Sequence, residues 1–333
     1  MNVNVAHELK SVAQEHIARE LAAAQSLDEY YARLAPAYMA AGWNRREPSL
    51  YPTPRTTFLP AHWSWSTART ALDAAARLVD TQDAERRNLT LYNPLPGNAY
   101  GTAPTIIAAY QMIKGFEAER SHRHTPNALR FILESGPGTY TIVDGRKLPM
   151  EEGDVLLTPN WCWHGHVNEG AHNAYWIDVL DVPLTHLLGP VFFEPLDEGF
   201  IESAAEVAAD SPFRFPFATW GAKTMRQPET RPGLREVTIG PPFLDSLRIK
   251  WRHLAAGTAV DEPQTTASCV YAVHSGSGVV SCDGHDFEWA RGDVFVIPAW
   301  RSARWQAGGE SYLLRVSDES LLEKLNWLRT AES

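Results

Sequence analysis

One stretch of this chain occurs twice, and that repetition limits the possible folds more than any other feature. Asp144-Gly145 through Gly153-Asp154, Pro159 and Trp161 returns as Asp283-Gly284 through Gly292-Asp293, Pro298 and Trp300, at a constant spacing of 139 residues. Upstream, Glu134-Ser135-Gly136 matches His274-Ser275-Gly276 at a spacing of 140, a slip of one residue. A period this long does not build a solenoid; it marks two copies of one domain. What repeats is mostly Gly, Asp and Pro, the residues that turn the chain between short strands, so the copied unit is expected to be all-β.

The remaining segments fall around these two units. Residues 1–85 read as a helical arm, with Ala-rich amphipathic stretches over 5–24 and 66–78 and an extended connection marked by Pro48, Pro52, Pro54 and Pro60. Beyond Arg87 the pattern changes to short strands, among them 88–92, 105–112, 129–134 and 155–158. The first β unit is placed at 86–184 and the second at 236–333. Between them, 185–235 is Pro-rich (Pro190, Pro195, Pro212, Pro216) and is expected to be an irregular linker. The 12 Trp, 11 Tyr and 12 Phe suit strands with aromatic pockets.

Charge and composition exclude several function classes. A net charge of −10 offers no basic stripe for nucleic acid. No apolar run reaches the roughly 18 residues of a membrane span, and no signal-peptide pattern opens the chain. Cys162, Cys269 and Cys282 have no metal-type spacing and read as thiols of a reducing compartment, so a soluble, cytoplasmic protein is expected.

The chemistry concentrates in the first copy. His122 and His124 stand i, i+2, which on a strand puts both imidazoles on one face. His164 arrives from a strand forty residues on and can complete a three-nitrogen face around Fe, Zn, Cu or Ni with positions left open. In the second copy Glu262 and Gln264 stand at the places of His122 and His124, and Ala303 at that of His164. The turn residues survive in both copies and the histidines in one, so the fold does not require the histidines. Arg130 follows His124 by an even step of six, which on a regular strand turns it to the same interior. His166 shares the face of His164, where it can bond a substrate oxygen, move a proton, or serve as a ligand itself.

The histidine motif, with Gly153, Pro159, His164 and Asn168 in the spacing G-x5-P…H-x3-N, resembles the cupin pattern. The glutamate that usually follows H-x-H is absent, since Ala128 and Leu129 stand there. A narrower resemblance is to the gentisate 1,2-dioxygenase family, which includes salicylate and 1-hydroxy-2-naphthoate dioxygenases. It rests on Glu119-Arg120-Ser121-His122-Arg123-His124-Thr125, Ala128-Leu129-Arg130-Phe131 and Thr158-Pro159-Asn160-Trp161, supported by His62-Trp63-Ser64-Trp65 and Gly292-Asp293-Val294-Phe295. This resemblance implies a mainly β bicupin, two double-stranded β-helix barrels behind an N-terminal helical arm, usually tetrameric. It also implies one Fe(II) in the first barrel and a degenerate second barrel.

It further implies roles. His122, His124 and His164 would hold Fe(II), and Arg130 would grip a substrate carboxylate with its planar fork of donors. Of the adjacent Arg86 and Arg87 only one can face the site, and Arg86 is preferred. Gln111 would contact substrate, His166 would contact it or move a proton, and Asp178 would orient such a group. The expected activity is cleavage of a 2-hydroxybenzoate by O2 between its carboxyl- and hydroxyl-bearing carbons. Gentisate leads, with salicylate, a substituted salicylate or 1-hydroxy-2-naphthoate as alternatives, because Ile107 and Gly101-Thr102-Ala103-Pro104 depart from the family's usual form. Outside the class stands a non-catalytic bicupin that binds a small acid. A metal-dependent isomerase or decarboxylase is disfavoured by the missing glutamate. Trp161 and Trp163 are expected to pack the barrel mouth, and His274-Ser275-Gly276-Ser277-Gly278 is a hairpin turn, because no helix follows to make a phosphate loop.

Overall fold

The repeated turns are repeated backbone conformations. Asp144 and Gly145 have φ of 46° and 77°, and their counterparts Asp283 and Gly284 have 52° and 76°, the double left-handed pattern of a two-residue hairpin. Gly153 and Gly292 match at 83° and 85°, and Trp161 and Trp300 at 65° and 61°. The computed structural model describes residues 14–44, 47–55, 57–80, 86–197, 199–202, 208, 210–241 and 243–331.

Strands are numbered β1 to β22 in chain order, and all their pairings are antiparallel. The first barrel closes a six-stranded sheet, β12 (Arg214–Phe215), β8 (Val155–Thr158), β5 (Ala128–Glu134), β10 (Ala174–Leu180), β3 (Ile107–Ile113) and β2 (Arg87–Thr90), with a five-stranded one. The latter runs β11 (Phe193–Pro195), β4 (Glu117–His124), β9 (His164–Asn168), β6 (Thr139–Val143) and β7 (Arg146–Pro149). In the second barrel the large sheet is β1 (Ala61–Trp63), β20 (Val294–Ile297), β17 (Cys269–Ser275), β22 (Ser311–Ser317), β15 (Arg248–Leu254), β14 (Leu234–Thr238) and β13 (Glu229–Arg231). Its small sheet is β16 (Ala259–Glu262), β21 (Ala303–Ala307), β18 (Gly278–Cys282) and β19 (His285–Trp289). The expected bicupin is the observed architecture.

Strand alternation explains how the first large sheet serves two surfaces at once. Ala108, Tyr110 and Met112 of β3, Leu129 and Phe131 of β5, and Ile177 and Val179 of β10 point outward into one apolar core. That core also holds Ile249, Trp251, Val270, Leu314 and Val316 of the second barrel. The intervening residues Ala109, Gln111, Ala128, Arg130, Asp178 and Leu180 line an interior cavity. Ile132, Val143, Leu148, Leu156 and Trp176 fill the rest of the barrel as a separate apolar plug. These strands are buried on both faces, so their sequences read as nearly continuous apolar runs interrupted by the site residues.

Several expectations change. The chain divides into two units, one ending at Pro54 and the other running from Arg55, rather than at residue 85. In the first, the helix Leu27–Leu34 is capped by the Ser26 hydroxyl, which accepts from the Glu29 amide. Residues 14–22 of the expected helix over 5–24 are helical, and 1–13 lie outside the described residues, as do 81–85. The second unit holds both barrels and the helix Trp65–Leu78, capped by Ser64. Just before that helix, β1 pairs with β20, so a segment assigned to the helical arm completes the second barrel. The region 185–235 is not an irregular linker. It supplies β11 and β12 to the first barrel, the helix Phe217–Met225, and β13 to the second. Pro195 ends the edge strand β11, Pro216 caps the start of that helix, and Pro190 and Pro212 lie in the loops between, so none interrupts a ladder or a helix interior.

The repeat itself needs one adjustment. Phe131 pairs with Val155 as Ala272 pairs with Val294, so β5 and β17 are related by 141 (272 − 131), not 140. Likewise the Trp161 amide donates to His124 O at 2.9 Å as the Trp300 amide does to Thr265 O at 2.5 Å. The counterpart of His124 is therefore Thr265 rather than Gln264. His122 pairs with His164 as Glu262 pairs with Ala303, in keeping with the sequence comparison.

Candidate active site

Two strands of the small sheet bring the three histidines together. His122 and His164 are cross-strand partners on β4 and β9, and His124 lies two residues along β4. One ring nitrogen from each of His122, His124 and His164 lies within 4.8 Å of the others. His124 Nδ1 is 2.8 Å from Pro126 O and His164 Nδ1 is 3.0 Å from Cys162 O. A carbonyl only accepts, so each Nδ1 carries its proton and each Nε2 presents a lone pair. His164 Nε2 is buried without a hydrogen-bond partner among the described residues. The Arg86 guanidinium packs against the His122 ring at Nδ1.

Electrostatics keep these imidazoles neutral. Burial, then Arg86, His124 and Arg130, push His122 down to about 2. Burial pushes His124 down to about 4, and it drives His164 and His166 well below the ordinary histidine value, with Arg130 adding to it. Neutral imidazoles with an orphaned buried Nε2 suit a divalent transition metal, and the three residues fit one.

The sequence-derived candidates converge on one cavity of about 170 Å³, lined by Arg86, Gln111, Arg130, Asp178 and all four histidines His122, His124, His164 and His166. Arg130 is 3 % exposed, its Nη1 donates to Thr158 Oγ1 at 2.5 Å, and its Nε lies 3.3 Å from Asp178 Oδ1 without hydrogen-bond alignment. Asp178 is held from the other side by Trp176 Nε1 at 3.0 Å. Burial raises the Asp178 carboxyl, and Arg130 works against that. His166 is fully enclosed against the Trp176 ring, and neither of its ring nitrogens has a hydrogen-bond partner among the described residues. Arg86 faces the cavity, whereas Arg87 points away to grip Glu117 through two bonds of 2.7 and 2.9 Å. Trp161 and Trp163 do not line the cavity; both rings sit under the Arg123 guanidinium, at 4.5 and 4.6 Å.

Two features escape sequence reasoning. Glu119 is buried beside the site, accepting from Gln111 Nε2 at 3.0 and 3.1 Å and lying 3.4 Å from Arg86 Nε. Burial pushes its carboxyl up to about 7, with Arg86 and Gln111 pulling the other way. An odd step from His122 assigns Glu119 to the opposite face, but a bulge in β4 inserts one residue between them. Arg130 is reached for a different reason from the expected one: His124 ends β4 and Arg130 lies on β5, so they share no strand. Facing Asp178 across β10 is what turns it inward.

The chain matches the Cupin domain family over residues 110–180. It is 31 % identical over 324 residues to the 1-hydroxy-2-naphthoate 1,2-dioxygenase of Nocardioides sp. (strain KP7), covering 88 % of this chain and 84 % of that one. To the gentisate 1,2-dioxygenase of Streptomyces sp. it is 32 % identical over 342 residues, covering 92 % and 95 %. Among solved structures, a variant of salicylate 1,2-dioxygenase from Pseudoaminobacter salicylatoxidans in complex with gentisate superposes with a TM-score of 0.86. The two are 27 % identical, over 93 % of this chain and 95 % of the other. The chain thus belongs to the gentisate and salicylate 1,2-dioxygenase family, oxidoreductases that open the rings of hydroxylated aromatic acids on a bicupin fold.

Proposed function

We propose that this protein is an Fe(II)-dependent dioxygenase that cleaves a 2-hydroxybenzoate between its carboxyl- and hydroxyl-bearing carbons, inserting both atoms of O2. Gentisate, giving maleylpyruvate, is the leading substrate. The observation that carries the reading is the convergence of three neutral imidazoles, a buried arginine and an unpartnered buried histidine on one cavity. Fe(II) held by His122, His124 and His164 would supply the O2 chemistry and Lewis acidity.

The chain's own residues account for binding and orientation. Arg130, braced by Asp178 and Thr158, receives the substrate carboxylate, and Arg86 adds a second positive charge at the rim. Gln111 donates its amide to Glu119, so its carbonyl oxygen is left to accept from a ring hydroxyl. His166, kept neutral by burial, has one donor and one acceptor nitrogen for the phenolic oxygen and its proton. The apolar lining of Ile107, Ala109, Leu180 and Val182 accepts an aromatic ring. That lining also favours a second reading, in which salicylate or 1-hydroxy-2-naphthoate is the better substrate.

Anaerobic loading with Fe(II), followed by O2 uptake with gentisate, salicylate, 5-substituted salicylates and 1-hydroxy-2-naphthoate, tests both. Stoichiometric O2 consumption with at least one acid is expected; none with any would overturn the proposal.

A further inference from the structure

The second barrel has lost the histidines but not its cavity. A space of about 240 Å³ occupies the corresponding end of that barrel, larger than the 170 Å³ around the histidines. The register shows what replaced the metal site. Glu262 and Ala303 hold the places of His122 and His164, and Tyr271 and Arg315 pair as Arg130 and Asp178 do. Arg252 pairs with Leu313 as Gln111 does with Trp176, and Val273 and Ile132 confirm that alignment across the sheet. Polar residues have thus been installed at interior positions that an abandoned barrel would fill with apolar side chains.

These groups are not all neutralised within the protein. Five basic side chains (Arg231, Lys250, Arg252, Arg301, Arg315) line the cavity against three carboxylates, Glu236, Glu262 and Glu319. Arg252, with its side chain 2 % exposed, commits Nε and Nη2 to Glu236 and Glu262, but its Nη1 is buried with no hydrogen-bond partner among the described residues. Lys250 Nζ stands 3.7 and 3.9 Å from Glu236 and Glu319, ion-pair distances too long for hydrogen bonds. Arg301 is paired to Asp283 through Nη1, yet its Nε is also buried and unsatisfied among the described residues. A buried guanidinium N–H without an acceptor is rare in folded proteins unless something else accepts it.

We propose that the second barrel is a binding site for a small organic acid, held through its carboxylate by Arg252 and Lys250 and independent of the metal centre. Ile297, Pro298, Ala303 and Leu328 supply apolar walls that suit a carbon skeleton and give an inorganic oxyanion nothing to contact.

The test is calorimetric titration of the iron-loaded full-length protein with succinate, with inorganic phosphate as the comparison. Saturable binding of one succinate per chain is expected, and it should persist in His122→Ala. Removing one charged donor should weaken it by about tenfold or more in Lys250→Met and in Arg252→Met. Should Arg252→Met fail to fold, Lys250→Met decides the matter alone. No saturable binding, binding lost in His122→Ala, binding unchanged in Lys250→Met, or phosphate binding as tightly as succinate would each overturn the proposal. Because the readout is binding in the second barrel, it is separate from the O2 uptake that tests the first.

Discussion

At the scale of single residues, the proposed site separates into groups fitted to a metal and groups fitted to an anion. His122→Ala removes one of three neutral ligands, so iron occupancy and turnover should be lost while the far-ultraviolet circular dichroism stays unchanged. The second barrel builds the same cross-strand pairing with Glu262 and Ala303, so the strands do not need the imidazoles. Retained iron after that change would refute the ligand assignment. Arg130→Lys keeps the charge but loses the planar fork, and kcat/KM should fall by about 10²-fold, mostly through KM. Arg130→Ala additionally leaves Asp178 buried without its cation, at about 3–5 kcal/mol of stability, visible as a lower Tm. An unchanged KM in Arg130→Lys would sink the carboxylate role. Residue types and spacing made the histidines legible from sequence, whereas Arg130 was reached through the family resemblance, its even step from His124 running across two strands. Glu119 was not legible, because a bulge leaves no compositional mark and one inserted residue reverses the face that alternation assigns.

At the scale of elements, turns carried the sequence signal and strand ends did not. The hairpins at Asp144-Gly145 and Asp283-Gly284 need positive φ at two successive residues, which few residue types tolerate, so their identities repeat. The short strands β11, β12 and β13 each have three residues or fewer, too few for a period-2 pattern, and Pro195 in β11 and Pro216 just after β12 read as loop. Gly153 shows how strictly one turn is held. Its φ is +83°, and a Cβ there would lie 2.8 Å from the His274 ring and 2.9 Å from Phe217 Cβ. Gly153→Ala should therefore destabilise the protein by about 1–3 kcal/mol through backbone strain, with the clash adding to it. Urea unfolding of the variant measures this, and a loss below about 0.5 kcal/mol would mean the turn relaxes freely.

At the scale of the whole molecule, the two barrels are one folding problem. Their large sheets share a single apolar core, and Trp65 joins them directly: its amide donates to Asp293 of the second barrel, and its ring packs on Tyr110 and Tyr175 of the first. Damage to the second barrel should therefore remove activity sited in the first, within one cooperative transition. Glu236 offers a pH-resolved way to see this. Burial opposes its ionisation, but Arg252, Lys250 and Arg315 outweigh that and hold its carboxyl down to about 2. In the unfolded chain a glutamate titrates near about 4.3, so between these values the unfolded state binds the extra proton. The stability contributed by Glu236 is thus complete above about pH 5 and is lost as pH falls towards 2. Glu236→Gln should cost about 3–5 kcal/mol at pH 7, because Arg252 is left with one carboxylate fewer. The gap between wild type and variant should then narrow steadily from pH 4.5 to pH 2.5. Unfolding followed in parallel by tryptophan fluorescence and by residual O2 uptake measures both effects. A gap that stays constant across that range would show that the ion pair does not hold the Glu236 proton off, and two separate transitions would show that the barrels fold apart.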